Sequence, residues 1–157
     1  MERKKKTVSE DEAFEKLSRL CAASEYCIHD MKRKMSYWDM PEGAREKVIN
    51  RLLADKFIDE ARYARAFTHD KFAFNNWGEM KIEMELRKRG ISQKDIDDAK
   101  DEIQEDESLE RLRTLIEAKR PSVKGRSEYE IRAKLYRFAY SKGFSTDQIS
   151  EVIGDIY

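Results

Sequence analysis

Arg62, Tyr63, Arg65 and Lys71 fall within a ten-residue window, and Arg87, Lys88 and Arg89 follow as an unbroken basic run. Guanidinium and ammonium groups beside aromatic rings hold phosphates or carboxylates and stack on flat groups, but they do not by themselves make or break bonds. A third basic set, Lys124, Arg126, Arg132, Lys134 and Arg137, lies between Arg111 and Lys142, where ten basic residues face three acidic ones. The preceding stretch, Ser92 to Glu110, is the reverse, with nine acidic and two basic residues. So sharp a contrast can orient a molecule against a partner with its own patterned field, although a charge run also serves simply to solvate a face. The Arg87 to Arg89 run has a second explanation as well, since cations in a last helical turn complement the helix dipole by roughly 0.3 to 1 kcal/mol each. Likewise Tyr63, Phe67, Phe72, Phe74 and Trp77 suit a core as readily as a stacking platform.

Bond-making chemistry has no comparable constellation. The chain lacks a Gly-x-x-x-x-Gly-Lys-Ser/Thr phosphate loop, a Gly-x-Gly-x-x-Gly turn and a His-Glu-x-x-His zinc helix. Its carboxylates sit at helical i, i+4 spacings or in first turns, where they support helices. Cys21, Cys27, His29 and His69 do not have zinc-site spacing, so the cysteines read as free thiols and no metal, disulfide or cofactor is expected. A non-enzymatic protein is the expectation. With 41% charged and 39% hydrophobic residues, and no apolar run of about 18, a membrane span is excluded. The opening Met-Glu-Arg-Lys-Lys-Lys has no apolar stretch behind it, as a secretory signal would. A cytosolic monomer of zero formal net charge is expected.

The elements that position these residues read as helices throughout, because Glu, Lys, Arg and Ala dominate and only two prolines and six glycines interrupt. Residues 1–8 are polar and basic and are expected to lack order. Ser9 with Glu12, Ser92 with Asp95, Ser127 with Glu130 and Ser145 with Gln148 each have the spacing of a helix N-cap, and Asp59 caps another start. Further starts are expected at Asp39-Pro41 and at Asp106. The second helix is expected to run through Trp38, and the fourth to bury Ala61, Ala64 and Phe67 with Tyr63 and Phe74 on the flank. Gly78 opens a helix that Gly90 closes, and Gly143 closes a later one.

Nine helices result, in three sets. Asp-Glu pairs open them at Asp11, Asp59 and Asp106, and Ile82, Gly90, Ile91, Ser92, Ile96 and Ile103 match Leu135, Gly143, Phe144, Ser145, Ile149 and Ile156 at a constant offset of 53. The helix starts are only 47 apart, so the third set carries a longer second helix or a longer loop before it. The fold expected is all-α: a basic N-terminus over 1–8, then tandem three-helix repeats over 9–57, 58–104 and 105–157, helix-turn-helix-like, stacked into an elongated and curved chain.

The middle repeat resembles the RecX family of recombinase regulators. The family's Asp-Glu/Asp-x-x-aromatic-Ala-x-x-aromatic helix is matched by Asp59, Glu60, Tyr63, Ala64 and Phe67, with Arg62 and Lys71 also in place. Its Gly-x-x-x-Ile-x-x-x-Leu-x-x-basic-Gly-Ile helix is matched by Gly78, Ile82, Leu86, Arg89, Gly90 and Ile91. The resemblance implies a partner, the RecA filament on single-stranded DNA, whose assembly, ATP hydrolysis and strand exchange such proteins limit. It does not imply which residues touch that partner. The basic residues named above are the candidates, against RecA or against single- or double-stranded DNA. A direct DNA-binding protein of helix-turn-helix type, acting without RecA, is the alternative; zero net charge and the lack of a helix with Asn, Gln and Arg at base-reading spacing weigh against sequence-specific readout.

Overall fold

The computed structural model describes residues 3–157. Among these, nine α-helices follow one another: α1 (Glu10–Ala23), α2 (Ile28–Met35), α3 (Ala44–Ala54), α4 (Glu60–Asn75), α5 (Glu79–Lys88), α6 (Gln93–Lys100), α7 (Glu105–Lys119), α8 (Glu128–Ser141) and α9 (Thr146–Ile156). The starts follow from local chemistry. Ser9, Asp59, Ser92, Ser127 and Ser145 each accept a hydrogen bond from the amide three residues on, which satisfies one of the unpaired donors of a first turn. At Ser145 the bond is reciprocated, its own amide donating to Gln148 Oε1 at 3.1 Å. The stops at Gly90 and Gly143 are left-handed, with φ of 71° and 98°. Beyond them the amides of Ile91 and Phe144 reach back to the carbonyls of Leu86 and Ala139.

Helices α1–α3, α4–α6 and α7–α9 form three bundles, and every extensive helix–helix contact lies inside one of them. Each has its own core: Leu17, Met31, Val48 and Leu52 in the first, Ala64, Ile82, Leu86 and Ile96 in the second, and Leu112, Ile116, Leu135 and Phe144 in the third. Burying each large side chain contributes about 1.5–3 kcal/mol. Tandem packing leaves much surface exposed. The accessible area is 10172 Å², against about 8,200 Å² for a compact monomer of this mass, as an elongated chain requires. The longer third unit has both expected causes: α8 has 14 residues where α5 has 10, and a 3-10 turn (Arg120–Ser122) precedes it.

Several local expectations are corrected. Residues 1–8 are expected to lack order, and Met1 and Glu2 lie outside the described residues. Lys6–Thr7 (β1), however, pairs in parallel with Trp38–Asp39 (β2), and Val8 is fully buried in the first core with its amide donating to Asp39 O at 2.9 Å. One apolar residue anchors an otherwise polar run. Trp38 therefore belongs to β2, and α2 ends at Met35. Pro41 does not start α3; its carbonyl accepts from Ala44 in a turn and Gly43 takes the cap position, while Arg45 fixes the approach by donating to Trp38 O at 2.7 Å. The seventh helix starts after Gln104, before Asp106. In α4 the buried aromatic beside Tyr63 is Phe72, and Phe74 points to solvent.

Candidate partner interface

The units meet at two junctions, the first of them built on residues expected to bind. At the first, Arg62 on α4 donates from Nε to Glu25 Oε1 at 2.7 Å, and from Nη2 to the carbonyls of Lys56 and Phe57 at 3.2 and 3.3 Å. Its fork thus ties the end of α1 to the α3–α4 connection. Tyr63 is buried beside it, packed against Phe67, and burial pushes its phenol well above the usual tyrosine range. Cys27, from the first unit, is fully buried in the second unit's core, where burial pushes its thiol up to about 11. The phenol is enclosed and the guanidinium is engaged in tying the two units together.

This junction also contains a carboxyl at a disadvantage. Burial holds Glu60 above the usual carboxylate range, with Asp95 and Asp30 adding repulsion, and its Oε2 is buried without a hydrogen bond. A carboxyl whose pKa is raised in the folded state destabilises that state progressively as pH rises through the raised value, and not at lower pH. Glu60→Gln is therefore expected to raise the melting temperature at pH 7, with the gain shrinking as melts are repeated toward pH 4. A gain that did not depend on pH would show that the Glu60 charge is not its source.

At the second junction the α8 C-terminus meets the α5 N-terminus head to tail. Gly78 N donates to Lys142 O at 2.7 Å and Met80 N to Gly143 O at 3.0 Å, so unpaired donors of one helix satisfy unpaired acceptors of the other and opposite dipole ends adjoin. Arg111 on α7 completes it, its guanidinium 4.7 Å from the Phe72 ring centre and donating to Ala73 O at 3.2 Å.

The remaining candidates divide by what they touch. Arg87 and Lys88 pair with Glu83 and Glu85 on their own helix, and Arg87 also bonds Gln93. Arg89 bonds Glu85 and lies over Phe67, and its guanidinium holds the Glu85 carboxyl below the usual carboxylate range. The pairs of the exposed Arg87 and Lys88 are worth about 0–1 kcal/mol each, whereas the Arg89–Glu85 pair is half-buried. Arg65 stands 3.9 Å from Glu102. Lys71 lies over the Phe67 and Trp77 rings. Lys134 reaches Lys124 O and Glu130 and closes the start of α8. Among the described residues Lys124, Arg126, Arg132 and Arg137 have no carboxylate within ion-pair distance.

Arg132 and Arg137 are the ones the fold brings together. With Tyr129, Ala133 and Tyr136 of α8 and Ile153 of α9 they line one open groove of aromatic, aliphatic and cationic side chains. Tyr129 and Tyr140 are exposed on the same side, and Arg132 also covers the Tyr157 ring at 4.5 Å. The tyrosines are the functional candidates that reading for charge alone passes over. Their signal is the helical spacing of Tyr129, Arg132, Tyr136 and Tyr140.

Residues 59–99 match the family description "RecX, second three-helix domain", and residues 105–153 match "RecX, third three-helix domain", together more than half of the chain. The chain belongs to the RecX family. Relatives named regulatory protein RecX include one from Halalkalibacterium halodurans, 26% identical over 129 residues, covering 82% of this chain and 48% of the relative. Those from Clostridium beijerinckii and Clostridium botulinum are 26% and 30% identical, over 96% and 78% of this chain and 72% and 58% of theirs. The chain thus spans about half the length of some curated relatives. The crystal structure of RecX from Lactobacillus salivarius superposes with a TM-score of 0.80 at 20% identity, over 94% of this chain and 96% of that one. A second RecX crystal structure gives 0.83 at 23% identity, over 93% and 71%. RecX is a family of regulatory proteins, and the tandem three-helix fold is common to these structures. No described helix of this chain is long and apolar enough to cross a membrane.

Proposed function

We propose that this RecX-family chain is a non-enzymatic, cytosolic regulator that binds the RecA filament on single-stranded DNA and restrains its assembly, ATP hydrolysis and strand exchange. The observation that carries the reading is the pair of RecX domain matches, over 59–99 and 105–153. The mechanism is steric and electrostatic. An elongated strip of three units, its unit junctions tied by Arg62 and by the Gly78–Gly143 contact, can lie along a helical filament and bridge neighbouring protomers without reshaping itself. The groove around Arg132 and Arg137 supplies the recognition, because cations without an internal carboxylate gain most from an acidic or phosphate surface.

Titrating the chain into RecA hydrolysing ATP on single-stranded DNA tests the reading. Hydrolysis is expected to fall toward a floor as the chain saturates the filament. ATPase rates unchanged at saturating chain would reject it.

A further inference from the structure

A second groove of similar chemistry lies at the other end of the molecule, on residues that the RecA reading does not use. Pairing of β1 with β2 brings the exposed run Arg3-Lys4-Lys5-Lys6 beside Trp38, and α1 and α2 add Lys16, Arg19 and Lys34 around the exposed Tyr37. Lys16 Nζ lies 5.6 Å above the Trp38 ring and Lys34 Nζ 5.2 Å above that of Tyr26. Arg19 pairs with Glu15 in an exposed i, i+4 pair, whereas Lys6, Lys16 and Lys34 have no ion-pair partner among the described residues. Lys6 and Lys16 stand close enough that their contact and mutual repulsion hold Lys16 below the usual lysine range, with Glu12 opposing only in part. Crowded ammonium groups without a carboxylate are relieved by an external anion.

The accessible lining decides which polyanion fits. Leu17 is fully buried, so Leu20 is the aliphatic side chain of the lining left at the surface, and beside it stand the Tyr37 and Trp38 rings, the Lys16 and Lys34 ammonium groups and the Arg19 guanidinium. An acidic amphipathic helix seats its apolar face through a run of anchors at i, i+3, i+4 and i+7 in a continuous hydrophobic groove, whereas here one leucine and two rings are set among cations. Phosphates spaced along a strand, with bases that stack on flat rings, need what is there. Tyr37 is 67% exposed and has no stacking partner among the described residues, so it is free to stack.

We infer that the groove bounded by Lys6, Lys16, Lys34, Tyr37 and Trp38 binds single-stranded nucleic acid directly, phosphates on the lysines and a base on Tyr37. This binding needs no RecA and stands apart from the proposed regulation.

The test is fluorescence anisotropy of the full chain with a labelled oligothymidylate of about 20 nucleotides and no RecA present. Binding is expected at about 50 mM salt and is expected to weaken steeply by about 200 mM. Lys16→Glu with Lys34→Glu is expected to weaken it about 100-fold and to flatten the salt dependence by about 0.7 for each phosphate no longer neutralised. Tyr37→Ala is expected to weaken it about tenfold with the salt slope unchanged, since it removes stacking and not charge. Circular dichroism checks that each variant keeps its helicity, and Lys16→Ala with Lys34→Ala replaces the reversal if it does not. Three results would each overturn the inference: no binding at low salt, full binding by the lysine variants, or loss of binding only in Arg132→Glu with Arg137→Glu. Competition by poly-glutamate together with an inert Tyr37→Ala would also overturn it, and would assign the groove to an acidic protein surface. A chain that fails to bind the oligonucleotide yet slows RecA leaves the RecA reading intact.

Discussion

Gly143→Ala is expected to lower the melting temperature by about 4–20 °C, at least twice the about 2–8 °C expected of Gly90→Ala, although both glycines close equivalent helices with left-handed backbone. The shared part is conformational: an L-residue in this region costs roughly 1–2 kcal/mol. The difference lies in what surrounds them. A methyl group at Gly90 meets nothing within 4 Å. One at Gly143 would overlap the Lys81 Cβ and stand 2.6 Å from the Lys81 backbone nitrogen, which cannot swing aside. The same closeness lets Met80 N donate to Gly143 O and Gly78 N to Lys142 O, so separating α5 from α8 also strips two backbone bonds, each with a buried glycine as one partner. Leaving a buried donor unpaired costs about 1–3 kcal/mol. Gly78→Ala gives an independent reading, since its methyl group would sit 2.5 Å from the Gly143 carbonyl carbon without requiring positive φ. Thermal melts of the three variants check this. Equal shifts for Gly143→Ala and Gly90→Ala would mean that the second and third units do not meet through this contact.

That junction separates what is legible in the sequence from what is not. The helix stops at Gly90 and Gly143 and the caps at Ser92 and Ser145 are local, each determined within about five residues, so the offset of 53 exposes them. The junction between Gly78 and Gly143 joins positions 65 apart by backbone alone, and no side-chain pattern reports it. The internal roles of Arg62 and Tyr63 are hidden for the same reason. A guanidinium reads alike in sequence whether it faces solvent or Glu25, which lies 37 residues away. Val8 is a smaller instance, a single apolar residue whose burial orders a segment that composition describes as free. The basic run over 111–142 is legible as charge, but only the fold shows that Arg132 and Arg137 share a groove with tyrosines while Lys134 turns back to its own helix start.

The division of the cations sets the last expectation. Arg132→Glu with Arg137→Glu, alone or with Arg126→Glu, is expected to raise the concentration of chain needed to inhibit RecA ATPase by about 100-fold or more, because like charges set against each other at an interface cost several kcal/mol and each 1.4 kcal/mol is tenfold. Stability is expected to change by about 1 kcal/mol or less, since Arg126, Arg132 and Arg137 are exposed and the Arg132–Tyr157 contact is worth about 0.5–1 kcal/mol. Arg62→Glu and Lys134→Glu do not serve this test, because the first breaks the tie to Glu25 and the second the closure of α8. The control is reversal of Asp97, Asp98 and Asp101 on and just beyond α6, exposed carboxylates of the acidic run. Their replacement by lysine is expected to leave inhibition within about threefold, since exposed charges away from an interface contribute about 1 kcal/mol or less. If the acidic variant loses inhibition and the arginine variant keeps it, the molecule lies on the filament by its opposite face. If both inhibit like the parent chain, contacts to RecA run through apolar or backbone groups, and the exposed tyrosines Tyr129 and Tyr140 become the next side chains to replace.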